Sequence, residues 1–365
     1  MFRNDNQEMK YLEFYDTKNE SISHQNIINQ DNYCDLVSET IKKKGLKKVV
    51  YSDLPPDQSI KELIQTYYKS ANIDQFIGMN RDTSPYRYLE SSITLFYSSL
   101  QTWHKHHKIG KNFLCEGQIY NHILNSQALF LSSGINNTVY SYKAVDMSNR
   151  VLETWDLSDI DQCQEFTRNF NGQWSVKSID KKANLIEITE KTGKEFRKAT
   201  KDGEKCPFPN RYAQKVIRTA EFIMNGYALL LVSPYKVYFA EGIPEFFSFS
   251  EYLNAEKIKK SYSEEIYNEI ITQMKITIVH YFNMNFNKIV KHPRTFEVFQ
   301  FKFIVKHDYM PVLYDISPLT IFDSYYADIR KIIQFTHIHA IEIAYYEILG
   351  IPFEKNFTER FVEIF

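Results

Sequence analysis

The chain has 365 residues, 43% hydrophobic and 24% charged, the proportions of a globular protein long enough for two or three packed lobes. Lys and Arg number 44 against 45 Asp and Glu, a formal net charge of −1, which excludes a global field drawing the chain onto nucleic acid or an anionic membrane. Apolar runs such as ALLLV at 228–232 are strand-length, and MFRNDNQEMK carries acids early with no apolar stretch, so neither a membrane span nor a secretory or transit leader is expected. Cys34, Cys115, Cys163 and Cys206 lie far apart without CxxC spacing, which argues against a disulfide framework or a zinc ribbon and for a reducing compartment. The 27 Phe and 26 Tyr against 11 Gly fit either a surface built for partners or an AT-rich coding sequence.

In chain order, KYLEFYD (10–16) reads as a first strand before a polar loop. A short helix over 35–44 stops at Gly45, and KKVVYSDL (47–54) reads as a strand ahead of Pro55-Pro56. Leu89, Ile93, Phe96, Leu100 and Trp103 recur every three to four residues, predicting one long helix over 86–108. Leu157-Ser158 is placed to start another helix, through Phe170. From residue 174 the pattern predicts a sheet: WSVKSI, ANLIEITE, AQKVIRTAEFI, YALLLVS and KVYFAEG are short β-branched or aromatic runs between turn residues. Ser263 with Glu264 and Glu265 opens a helix reaching about 289. A hairpin follows over 296–317, then a closing helix over 324–349 ended by Gly350 and Pro352. Phosphate-loop and Rossmann glycine patterns are absent, so a nucleotide site would have to be of another design.

The hairpin reads FEVFQFKFIVK (296–306), a turn, then PVLYDIS (311–317). It resembles, without a gap, the pattern FELFGFDFMLD–turn–PWLIEVN of the tubulin tyrosine ligase-like family, whose fold is ATP-grasp. Other blocks follow in order. GQIYNHILNS (117–126) resembles the family's NHIPG segment, and LETWDLS (152–158) its threonine–Trp/Tyr stretch. WSVKS (174–178) resembles WIVKP and places Lys177 on the phosphate-binding lysine; AQKVI (213–217) resembles VVQKYI. Residues 227–252 resemble the strand pair after the KFDIR motif. The resemblance covers about 110–345.

Several positions depart from the family. Its magnesium ligands are an Asp, a Glu thirteen residues on and an Asn two further; here stand Lys302, Asp315 and Ser317. Magnesium requires oxygen donors in near-octahedral array, and an ammonium supplies neither lone pair nor sign, so Lys302 is expected to pair with Asp315 where the metal would sit. KFDIR becomes Ile223-Met224-Asn225-Gly226-Tyr227, an expected arginine aligns with Glu245, and the flap over 181–185 has no glycine. Lys177, Gln214, Lys215, Glu297 and Asp315 survive, with strand or surface roles open to Gln214, Lys215 and Glu297.

The expected fold class is α/β (α+β) of ATP-grasp type, with mixed sheets and flanking helices. The expected organisation is an N-terminal subdomain (1–110), a connecting segment (111–172), a central subdomain (173–255), a C-terminal subdomain (256–350) and an aromatic tail (351–365). In that tail Phe353, Phe357, Phe361 and Phe365 recur every four residues, one stripe on a helix that either folds back or projects to dock a partner. His104 and His107, and His337, His339 and Glu342, read as a solvated helix end and as core positions rather than metal ligands. Lys42 to Lys44 with Lys47 and Lys48 form a basic patch. No catalytic residue, metal or cofactor is expected. The resemblance implies a degenerate ligase-like protein bound to tubulin, microtubules or axonemal proteins in the cytoplasm, cytoskeleton or cilium, with neither nucleic acid nor membrane as partner. The alternative is an active ATP- and magnesium-dependent tubulin amino-acid ligase.

Overall fold

The computed structural model describes residues 49–52, 75–78, 95–97, 114–130 except 116, 124 and 125, 148–178, 186–201, 204–217 except 210, 220–246 except 243, 263–319, 327–350 and 360–365. The expected strand near 47–54 is Val49–Ser52 (β1). It lies in a parallel sheet ordered β2-β1-β3-β4, with Gln75–Gly78 (β2), Leu95–Tyr97 (β3) and Ile119–Tyr120 (β4). Thus β3 interrupts the span expected to be one helix. Parallel strands carry continuous apolar runs, which three-to-four-residue spacing cannot separate from a helix face. The candidate strand 10–16, the candidate helix 35–44, the basic patch, Cys34, His104 and His107 lie outside the described residues.

The second sheet is antiparallel and ordered β5-β8-β6-β7: Thr154–Asp156 (β5), Trp174–Ser178 (β6), Ile186–Ile188 (β7) and Arg211–Lys215 (β8). The short helix Gln127–Phe130 (α1) precedes it in sequence. Ile160–Asn169 (α2) begins at Asp159, whose carboxylate accepts from Gln162 N at 2.9 Å, one residue beyond the start read at Leu157-Ser158. Glu190–Thr200 (α3) falls where only sheet was expected. It lacks an apolar stripe and is started instead by a reciprocal cap between Thr189 and Thr192. Gly193 lets it approach closely, since a Cβ there would stand 3.0 Å from the Phe170 ring. Phe166 stacks on Phe170 and meets Trp174 edge-on, both with ring centroids 5.1 Å away.

The same layer holds a disulfide between Cys163 and Cys206, and Cys115 is disulfide-bonded as well. The expectation against disulfides is therefore overturned. Linear spacing hides the pairing, because β5 and β8 run side by side and bring α2 and the loop before β8 together.

The third sheet is ordered β13-β12-β9-β10-β14, with β11 pairing β9. Its strands are Ala220–Leu231 (β9), Lys236–Glu241 (β10), Glu245–Phe246 (β11), Phe296–Lys306 (β12), Pro311–Pro318 (β13) and Val362–Glu363 (β14). The expected hairpin is β12–β13. Glu264–Asn285 (α4), capped by Ser263, packs Met274, Ile278, Tyr281 and Phe282 against Phe299, Phe301, Phe303 and Val305. Ala327–Leu349 (α5), followed by Gly350 at φ +69°, covers Tyr227, Leu229, Leu231, Phe296 and Val298 on the other face. Alternation thus splits β12 into an odd-numbered row toward α4 and an even-numbered row away from it.

Residues 360–365 do not continue a helical stripe. β14 adds to the edge of β10, and Val237 donates to Phe365 O at 2.7 Å while accepting from Ile364 N at 2.8 Å. Glu363 meets Lys236 and Tyr238. Phe361, 3% exposed, is buried with α5, whereas Phe365 stays 49% exposed against Tyr235. Phe353 and Phe357 lie outside the described residues. A free sheet edge offers ladder hydrogen bonds that a lone amphipathic turn does not, and the chain end takes them.

Candidate functional site

The polar groups that survive from the sequence pattern meet between the second sheet and the hairpin of the third. Trp174, Val176 and Ala213 face the aromatic layer under α2, so alternation sends Lys177 on β6 and Tyr212 and Gln214 on β8 to the opposite face. Lys177 Nζ donates to Gln214 Oε1 at 2.7 Å, and Gln214 Nε2 donates to Tyr314 O at 2.7 Å. The ladder skips Tyr314: Lys302 lies opposite Asp315, but Phe303 lies opposite Leu313. Such a bulge bends a strand and re-aims its groups, and here it presents the carbonyl that the second sheet grips. Leu152, Ile304 and Val312 form an apolar seam beside this contact, and Leu152 N donates to Leu313 O at 2.7 Å.

Asp315 projects toward the second sheet. Burial lowers the Lys177 pKa while the Asp315 carboxylate acts in the opposite sense. Burial first, and Asp315 second, push the Tyr212 hydroxyl up to about 12. Lys302 is half-buried on the even-numbered row, opposite Asp315 on one side and Asn225 on the other. Gln300 Nε2 donates to Asn225 Oδ1 at 3.1 Å, which fixes the floor beside it. The expected ion pair between Lys302 and Asp315 is not among the contacts of the described residues. The carboxylate is drawn instead toward Lys177 and Tyr212.

Other candidates fall elsewhere. Glu297 belongs to the odd-numbered row, 2% exposed, meeting His122 Nδ1 and accepting from Ile123 N, both at 3.1 Å. It therefore ties β12 to the segment after β4. Lys215 points to the far face, 3.1 Å from Glu153 and above the Trp174 ring. Tyr227 is buried beneath α5, and the Arg360 guanidinium, which donates to Ile332 O at 2.9 Å, senses it. Glu245 pairs through its backbone with Ile223, and Ser317 lies opposite Gln300. His337 and His339 lie on α5, where burial holds their pKa values down to about 3 and about 4, the readings of core groups. Tyr212, Gln300 and Arg360 were missed in the sequence. Tyr212 was open to discovery, standing two residues before Gln214 on the same strand face.

Magnesium does not fit this donor set. At the three hairpin positions one carboxylate and one hydroxyl face an ammonium, against the oxygen shell magnesium needs. Among the described residues no group of three or more His, Cys, Asp or Glu is placed to hold a metal ion. Nor is any described helix long and apolar enough to cross a membrane.

No protein-family model matches the chain, and no curated protein does. Among solved structures it is similar to the C-terminal domain of Pby1 from K. lactis, an ATP-grasp enzyme interacting with the mRNA decapping enzyme Dcp2. The TM-score is 0.62 at 13% identity, over 87% of this chain and 98% of that one. The architecture is thus ATP-grasp: mixed α/β, antiparallel sheets with flanking helices.

Proposed function

We propose that the chain is a catalytically degenerate ATP-grasp protein, resembling tubulin tyrosine ligases, that serves as a binding or structural component of a microtubule-based assembly such as a ciliary axoneme. The observation that carries the loss of catalysis is Lys302 opposite Asp315, on the strand face turned toward Lys177 and Tyr212. Phosphoryl transfer depends on metal and cations positioned around the transferred group, and removing even one such stabilising group costs roughly a hundredfold or more. The microtubule setting rests on the sequence resemblance alone. Phe361 is held in the chain's own core, so a docking tail would use Phe353, Phe357 and the exposed Phe365.

Incubation of the full chain with ATP, magnesium and tubulin, with Glu, Gly or Tyr in turn, should give no incorporated amino acid, while the chain pellets with microtubules. Magnesium-dependent incorporation would establish the active-ligase alternative, to which Lys177, Gln214 and Asp315 would then belong. Failure to pellet would remove the microtubule setting.

A further inference from the structure

The Cys163–Cys206 bond joins two elements of unlike exposure. Cys163 is fully buried in the aromatic layer, in one cluster with Leu157, Phe166 and Trp174. Cys206 is partly exposed, in a loop whose Glu204, Lys205, Pro207 and Pro209 face solvent. A thiolate arriving from solution therefore meets Cys206 and not Cys163. Both flanks of Cys206 are held without the bond. Lys205 N donates to Thr200 O at 3.4 Å, and Phe208 N donates to Leu157 O at 2.7 Å, with the Phe208 ring beside Phe196. The rings of Phe166, Phe170, Trp174 and Phe196 pack on one another independently of it. Opening the bond thus loosens a few residues and leaves the helices on their sheet.

Cys163 is placed to leave. It stands in the first turn of α2, its amide donating to Asp159 O at 3.0 Å, at the helix end whose dipole favours negative charge. The helix meets the charge that appears as the sulfurs separate, and a better stabilised leaving thiolate departs faster. Once protonated, the cysteine is a small apolar side chain, which suits the aromatic layer around it.

We propose that Cys163–Cys206 is a site of reversible thiol–disulfide exchange in the folded chain, attacked at Cys206 Sγ by a dithiol reductant. The reductant's first thiolate bonds to Cys206 Sγ as the S–S bond breaks, and Cys163 departs as a thiolate and takes up a proton. The second thiolate then attacks the reductant's own sulfur in the mixed disulfide and releases Cys206. The reductant ends as a disulfide, its two electrons and two protons now on the two cysteines. This rests on the microtubule setting proposed above, hence on a reducing compartment, where a disulfide that forms is as a rule transient or redox-sensing.

The test follows reduction of the native full chain by dithiothreitol, with acid quench, alkylation and peptide mapping that reads the Cys115 bond separately. Cys163 and Cys206 should become labelled together while circular dichroism stays unchanged, and oxidised glutathione should restore the bond. Urea at about 1 M, below the unfolding transition, should alter the rate by no more than about twofold, whereas a bond reached only through global unfolding would open about tenfold faster or more. Reduced glutathione, a monothiol, should be recovered on Cys206 and be absent from Cys163. Resistance to dithiothreitol in the native chain, the steep urea dependence, or an adduct on Cys163 overturns the proposal and makes the bond a permanent staple. That outcome leaves pelleting with microtubules untouched, while failure to pellet removes the setting without altering the thiol kinetics.

Discussion

Breaking the Cys163–Cys206 bridge should destabilise the layer packed on the second sheet. The bond joins α2 to the loop preceding β8, on the face of the second sheet opposite Lys177 and Gln214. Its partners lie 43 residues apart, and a cross-link closing a loop of that length removes unfolded-chain entropy equivalent to about 4 kcal/mol at 25 °C. Set against an unfolding entropy of ~2.1 cal/mol/K per residue over the whole chain, that lowers Tm by about 5 °C. The variant C163A/C206A isolates this bond from the one at Cys115, which reductant would also open. Scanning calorimetry without reductant should show the lower midpoint, and alkylation of the native wild type should leave Cys163 and Cys206 unlabelled. A variant melting within about 1 °C of the wild type, or prompt labelling of either cysteine, would refute the reasoning.

Three further outcomes follow from buried polar contacts of the second and third sheets and of α5. Gln214→Ala removes the contacts to Lys177 and Tyr314 O; it should cost about 1–3 kcal/mol in urea unfolding and speed amide exchange in β13, and unchanged exchange would contradict the bridge. Glu297→Ala leaves His122 and the Ile123 amide without their buried acceptor, and should cost about 2–3 kcal/mol in urea unfolding. His337 has its pKa held down to about 3 by burial and then by His122, so the unfolded chain, titrating near about 6.5, takes up protons that the folded one does not. Stability should therefore be full above about pH 6.5 and fall as pH drops toward 3, by about 2 kcal/mol at pH 5 from this group. His337→Gln should flatten that slope.

The hairpin, α4, α5 and the strand runs after residue 174 were legible because their signals are local: alternation, a serine followed by acids, and a glycine at positive φ. Strand parity already separates Glu297 from Lys302, an inference the sequence allowed but that register makes visible. What the sequence withheld depends on partners distant in the chain. The helix pattern over 86–108 hid β3, whose neighbours lie near residues 50 and 119. α3 carries one reciprocal cap and almost no apolar face. The disulfide needs β5 beside β8, the tail needs the open edge of β10, and the direction of Asp315 needs the bulge at Tyr314. Apart from α3, whose cap is local, each is a tertiary event that no window of neighbouring residues encodes.

The most direct measurement is a thermal melt of the full chain with ATP, in magnesium and in EDTA. A ligand at about 100 times its dissociation constant adds roughly 2.7 kcal/mol of stability, enough to resolve. Magnesium should add nothing to the midpoint recorded with ATP in EDTA. Stabilisation appearing only with magnesium would mean that a metal is held at the hairpin despite Lys302 opposite Asp315, and would contradict the loss of catalysis at its centre.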